Sequence, residues 1–241
     1  MEATHTPSRL RVQPAIANRV IEHLRGGQVP LVELVEADPS LCAVVVRAAN
    51  AVHLGLSRRV SGVRQAMVML GQDAAQALAV ARTAELVFDE TDDAPMSTWV
   101  WPQAVATATA AAGLARLMDA NAEQAYTAGL LSNLWVLMGE KHDAEHAGKA
   151  ADLLESWNFP EALARAVRNH HRSLDDVVAP LDRAVLCARA FAAEAGFPDG
   201  RPVPTMRDVL RAAEVGKMQS KGIAAEVERS LASLVRLAAP R

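Results

Sequence analysis

An all-α protein is what this sequence predicts, and three observations carry the prediction. Hydrophobic residues make up 51% of the 241 positions while aromatics make up only 4%, so Ala, Leu and Val must build the core. Ala has the highest helix propensity and lets helices approach closely. Apolar residues recur at helical spacing in segment after segment, with capping residues at their ends. No alternating stretch is long enough for a strand, and no internal repeat is visible. A chain of this length forms one large domain or two small ones.

The elements follow in order. Ile16, Val20, Ile21 and Leu24 share one face of a helix over residues 14–24, closed by Gly26-Gly27. Pro30 is preset for the first turn of a short helix, 30–37. Asp38-Pro39-Ser40 opens a third helix. Its run Leu41-Cys42-Ala43-Val44-Val45-Val46 is apolar nearly all round, which places it at the centre of a bundle. It passes through Arg47-Ala48-Ala49-Asn50 and breaks at residues 53–56. After the basic turn 57–60, Ser61 is the expected N-cap of a helix ending at Gly71. Met67, Met69 and Leu70 on it have core spacing. Asp73 begins a helix that runs to Phe88.

Residues 89–95, DETDDAP, replace apolar periodicity with charge and a proline, and mark a linker between two halves. A long Ala-rich helix is expected over 97–118, with Pro102 in its first turn. Asn121 and Gln124 have capping-box spacing and start a helix whose continuation, 128–139 (AGLLSNLWVLMG), is an apolar run interrupted by Ser132 and Asn133. Further helices are expected at 142–156, 160–170, 180–195, 206–216 and 220–237.

Charge and cysteine usage narrow the function classes. Only residues 201–241 are basic, with 8 basic against 4 acidic groups. That excess is too dilute for a nucleic-acid footprint and reads as a solvated helix face. Cys42 and Cys187 lie in separate apolar stretches without ligand spacing, so two buried thiols are expected. The first residues lack a signal-peptide core and no apolar run could span a membrane, which points to a cytoplasmic protein. Ser132 is not flanked by glycines as a nucleophile elbow is, and no phosphate-binding loop is present. The charged run Glu140-Lys141-His142-Asp143 reads as a solvated connection.

The run LCAVVVRAANAVHLGLSRRVSGVRQAMVMLG, residues 41–71, resembles the N-terminal signature of HDOD domains, bacterial relatives of the HD and HD-GYP metal-dependent phosphohydrolases. The matching features are Arg47-Ala48-Ala49-Asn50, the Gly55 turn, Val60-Ser61, Arg64-Gln65-Ala66 and Leu70-Gly71. Later segments correspond as well: AGLL (128–131), HAGKAADLLESWNFP (146–160) and AVRNHH (166–171). The resemblance covers about residues 10–195. It implies an N-terminal helical bundle (10–94) packed on a degenerate HD-like bundle (95–195), with 196–241 as a C-terminal helical extension.

The parent chemistry holds metal ions with His and Asp side chains, centred on an adjacent His-Asp pair after AGLL. The resemblance puts Ser132-Asn133 at that pair, Gln103 at an earlier family histidine and Arg189 near a late family aspartate. A hydroxyl and a neutral amide are poor ligands for a transition metal. His146, His170 and His171 stand in matching places. Their metal-binding reading is weaker than a structural one, in which His146 packs at a helix start and His170 and His171 end a helix as cations. His5, His23, His53 and His142 show no partner pattern and read as surface or turn residues. The resemblance thus implies a non-catalytic signalling module acting through protein partners, in the setting of cyclic-dinucleotide pathways. No catalytic residue, metal or cofactor is expected. The contact surfaces implied are the groove between the halves and the vacated pocket around Ser132, Asn133 and His146. The alternatives are a metal-dependent phosphohydrolase with an unusual site and a domain that senses a small nucleotide.

Overall fold

The structure, a computed structural model, describes residues 10–52, 59–88 and 99–238. The expected break at 53–56, most of the basic turn and the linker 89–95 lie outside the described residues. Thirteen α-helices and no strand occur among those described, in agreement with the all-α expectation.

The first bundle contains α1 (Pro14–Leu24), α2 (Leu31–Ala37), α3 (Pro39–Val52), α4 (Val63–Leu70) and α5 (Gln72–Phe88). Helix α3 is its centre and packs against α2, α4 and α5. Leu41, Cys42, Ala43, Val45, Val46 and Ala49 are all buried, as a helix apolar nearly all round requires. Asp38 caps it. One carboxylate oxygen accepts from Leu41 N at 3.0 Å and the other from Gln13 N at 2.8 Å, so the cap also anchors the start of α1. At the far end, Asn50 Nδ2 donates to Val60 O at 3.0 Å while Val60 N donates to Asn50 Oδ1 at 2.8 Å. This pair fixes where the chain returns for α4. Met67, Met69 and Leu70 are partly buried against the core.

Ser61 does not cap α4; the N-cap position is Gly62, with no side-chain cap of its own. The acceptor comes instead from Glu123 in α7 (Ala122–Leu130), whose Oε1 lies 3.1 Å from Arg64 N and 3.3 Å from Gln65 N. A carboxylate at these unpaired N–H groups does what a local cap would, and also favours the helix dipole. Gly62 makes room: a Cβ there would stand 2.2 Å from the Glu123 side chain.

The second bundle is organised on α6 (Val100–Leu117), buried almost all round and packed by α7, by α11 (Pro180–Glu194) and by α13 (Lys217–Ala238). Small residues permit that crowding. A Cβ on Gly129 of α7 would lie 2.8 Å from Ala108 Cα, and one on Gly113 would lie 2.9 Å from Ile223 Cγ1 of α13. The Asn121 cap forms, accepting from Gln124 N at 2.8 Å. The stretch 128–139, however, is not one helix. Helix α7 stops at Leu130, Ser132 and Asn133 lie in a turn, and α8 (Leu134–Leu137) is a single turn. Ser132 Oγ donates back to Gly129 O at 2.8 Å, a local bond that competes with helix propagation.

Helices α9 (His146–Ser156) and α10 (Glu161–Asn169) pack on each other, and α10 on α7 and α11. The expected helix at 142 begins four residues later, because Glu145 N donates to the Asp143 carboxylate at 2.9 Å and holds the preceding residues in a loop. Helix α12 (Met206–Ala212) follows, and α13 lies along α6 and reaches α1. There Arg19 donates to Leu237 O at 3.1 Å and Arg236 O at 3.2 Å.

The two bundles are joined by directed bonds at the end of α2. Trp101 Nε1 donates to Ala37 O at 2.8 Å, and Tyr126 Oη donates to Glu36 O at 3.0 Å. Both satisfy carbonyls that a helix C-terminus leaves open. Cys42 and Cys187 are free, buried thiols. No described helix is long and apolar enough to cross a membrane.

Candidate functional site

The sequence-predicted site residues fall into two hydrogen-bonded groups. In the first, Asn133 Nδ2 donates to Gln103 Oε1 at 2.9 Å and Gln103 Nε2 donates to Thr107 Oγ1 at 3.0 Å. Ser132 is spent on Gly129 O. All four residues are buried, and Asn133 Oδ1 is left without a partner. A group of neutral amides and hydroxyls in mutual contact supplies neither imidazole nor carboxylate. Such a group offers poor ligands for a divalent transition metal.

In the second group His146, His170, His171 and Arg189 come together, joined by residues that sequence reasoning did not select. His146, the first residue of α9, is fully buried, and its Nδ1 lies 2.5 Å from Asp143 O. His170 and His171 follow the last turn of α10. His170 is fully buried with Nδ1 2.5 Å from Val167 O, and its ring centroid is 4.0 Å from that of His171. His171 Nε2 stands 3.1 Å from His146 Nε2. His142, in the loop before α9, is half-buried, with its ring 4.2 Å from His146 and 5.6 Å from His171. Its reading as a residue without partners is corrected by this contact. His23 bonds elsewhere, to Val29 O at 2.9 Å, and His5 and His53 lie outside the described residues.

Arg189 explains the electrostatics. It is 2% exposed and donates to both carboxylate oxygens of Asp199, at 2.7 and 3.0 Å. It also donates to His170 O at 3.0 Å and Pro202 O at 3.3 Å. Burial alone would raise the Asp199 carboxyl, yet Arg189 outweighs it and holds the group below the usual carboxylate range. Arg201 reaches His142 O at 3.3 Å. The segment after residue 195, read as an extension, thus completes this cluster.

Burial disfavours the imidazolium form throughout. It lowers His146; aided by His146, it lowers His142 to about 4; and aided by Arg189, it lowers His170 to about 3. His171 is lowered too, by burial, His170 and Arg189. Burial thus opposes the expectation that His170 and His171 close α10 as cations. Sequence held one signal for the missing member. His142 and His146 are four positions apart, a spacing obscured by the charged residues around them.

A family model described as HDOD domain matches residues 12–140. Among solved structures, the MmoQ response regulator of Methylococcus capsulatus superposes with a TM-score of 0.73 at 20% identity, over 96% of this chain and 98% of that one. A virulence factor from Campylobacter jejuni superposes with a TM-score of 0.58 at 15% identity, over 92% and 90%. At such identities the likeness is one of fold. An uncharacterized protein of Treponema pallidum is 25% identical over 193 residues, 66% of this chain. The chain spans 37% of that relative's length. The family match takes in more than half of the sequence and includes the α3–α4 signature that Asn50 pins in place, so the chain belongs to the HDOD family.

Proposed function

We propose that the protein is a non-catalytic HDOD signalling module that works by binding protein partners. The observation that carries this reading is the buried group Gln103–Asn133–Ser132, where the related hydrolases need a His-Asp pair. Neutral side chains there cannot hold two cations or lower the pKa of a bound water as that chemistry requires. A place near cyclic-dinucleotide pathways is what the family resemblance implies. The test is a phosphodiesterase assay of the full chain with manganese or iron(II), on a chromogenic phosphodiester and on cyclic dinucleotides, beside an affinity pull-down from the native cell. No turnover above blank, with a partner retained reproducibly, is the expected result. Turnover that His146→Ala abolishes would replace this reading by the phosphohydrolase one.

A second reading, sensing of a small nucleotide, is favoured by one observation. A cleft of about 740 Å³ beside the imidazole cluster is lined by His171, Arg172, Arg183 and Arg211 together with Asp175, Asp208 and Glu214, donors and acceptors that a nucleotide's phosphate, sugar and base could all use. Thermal stabilisation by a member of a nucleotide panel supports it, and no shift with any member opposes it.

A further inference from the structure

We propose that His142, His146 and His171 form a site for one divalent transition-metal ion of the imidazole-preferring class, zinc foremost. Two of its members, His146 and His171, stand in places that match histidines of the HD phosphohydrolases, while His142 comes from the 139–145 loop and is outside that pattern; the site does not depend on the non-catalytic reading above.

Spacing is the first argument. One ring nitrogen from each of the three lies within 4.8 Å of the others. Two nitrogens bound to one tetrahedral zinc at roughly 2.0–2.1 Å stand about 3.3 Å apart. The Nε2 atoms of His146 and His171, at 3.1 Å, are already at that separation. His142 is carried on the loop before α9, its ring 4.2 Å from that of His146.

Proton placement is the second. A carbonyl oxygen only accepts, so His146 Nδ1, 2.5 Å from Asp143 O, must carry the ring proton. Nε2 of neutral His146 is then a bare acceptor, and His171 Nε2 must donate to it. That leaves His171 Nδ1 bare, buried and without a hydrogen-bond partner, 4.0 Å from the Asp199 carboxylate. A lone pair facing a carboxylate is the wrong arrangement. An ion between the two Nε2 atoms corrects it: both lone pairs turn to the metal, and the His171 proton moves to Nδ1, toward Asp199. Asp143 O and Asp199 then become the groups that orient metal-bound imidazoles through their second nitrogens. His142 Nε2 is likewise buried and unpartnered, a cost that a ligand would remove.

Access and charge are compatible with the site. His171 borders the 740 Å³ cleft, so one edge of the site reaches its wall. Three neutral histidines are a sufficient ligand set for zinc. The nearby Arg189 charge is matched by Asp199.

The test is calorimetric titration of chelator-stripped full-length protein with zinc chloride, repeated with cobalt(II) to read the visible absorption of tetrahedral coordination. One ion per chain is expected. His142→Ala and His171→Ala should each weaken binding at least tenfold, in line with the roughly 10–100-fold effects seen even for residues that only orient ligands. His23→Ala should leave it unchanged, and magnesium should not compete. His142→Ala lies in a loop and preserves the fold if circular dichroism is unaltered, so a variant that unfolds at His146 does not decide the matter. Absence of zinc uptake, or uptake indifferent to both His142→Ala and His171→Ala, overturns the proposal. A zinc-loaded protein without phosphodiesterase activity supports it and leaves the non-catalytic reading intact.

Discussion

Arg189 and Asp199 face each other through two hydrogen bonds of 2.7 and 3.0 Å, with side chains 2% and 1% exposed. Helix α11 supplies the cation and the segment after it supplies the anion. Removing one partner from a buried pair strands the other charge, at a cost of about 3–5 kcal/mol. Asp199→Ala should lower the unfolding free energy by that much, and Arg189→Met with Asp199→Leu should recover most of the loss. Chemical denaturation of the parent and the two variants checks it; a double variant no better than the single one would show that the pair's other bonds, to His170 O and Pro202 O, dominate.

Glu123 caps a helix 59 positions before it, in the other bundle. Glu123→Ala should cost about 1 kcal/mol, the usual loss for a removed N-cap. Gly62→Ala should cost a similar amount by pushing Glu123 away. Because both substitutions break one interaction, their combination should cost clearly less than the sum. Additive losses in a double-mutant cycle would mean that Gly62 acts through backbone freedom alone.

Asp38 gives a pH dependence of unusual sign for a carboxylate. Burial pushes it up to about 6, against the lowering by the N–H groups of Gln13, Leu41 and Ser40 and by Arg82. A folded pKa above the unfolded value means that the folded state holds the proton more tightly. The stabilisation is thus fully present below pH 3.8 and is lost as the pH rises through about 6. The difference amounts to on the order of 3 kcal/mol. Asp38→Asn should flatten stability across that interval relative to the parent, measured by melting at a series of pH values. Identical slopes in the two proteins would count against this assignment.

Two glycines in helices should respond oppositely to alanine. At Gly222 in α13 an added methyl group would meet nothing within 4 Å, so Gly222→Ala should stabilise by roughly 0.5–1 kcal/mol. Gly129→Ala would place its methyl 2.8 Å from backbone of α6 and should destabilise by about 1–3 kcal/mol or more. Thermal melts of the pair read the contrast directly.

Local chemistry explains what could be read in advance. Helix α1 begins at Pro14 and its chain reverses at Gly26, φ +88°, because proline and glycine carry their backbone preferences with them. The Asn121 cap and the central place of α3 are visible for the same kind of reason, periodicity and a side chain within three residues. The interruption of the apolar run at Ser132-Asn133 was legible in the sequence; that it breaks the helix depends on a bond to Gly129 O that spacing does not announce. Glu123 and Asp199 were not legible. Each acts on residues brought near by folding, and nothing in its own sequence neighbourhood marks it. His142 carried one signal, its four-residue spacing from His146.

Arg19 holds the final carbonyls of α13 across 218 positions of chain. Synthesis at roughly 5–20 residues per second makes α1 wait on the order of ten to forty seconds for that partner to be translated. Through that interval the part of α1 that meets α13 stays uncovered.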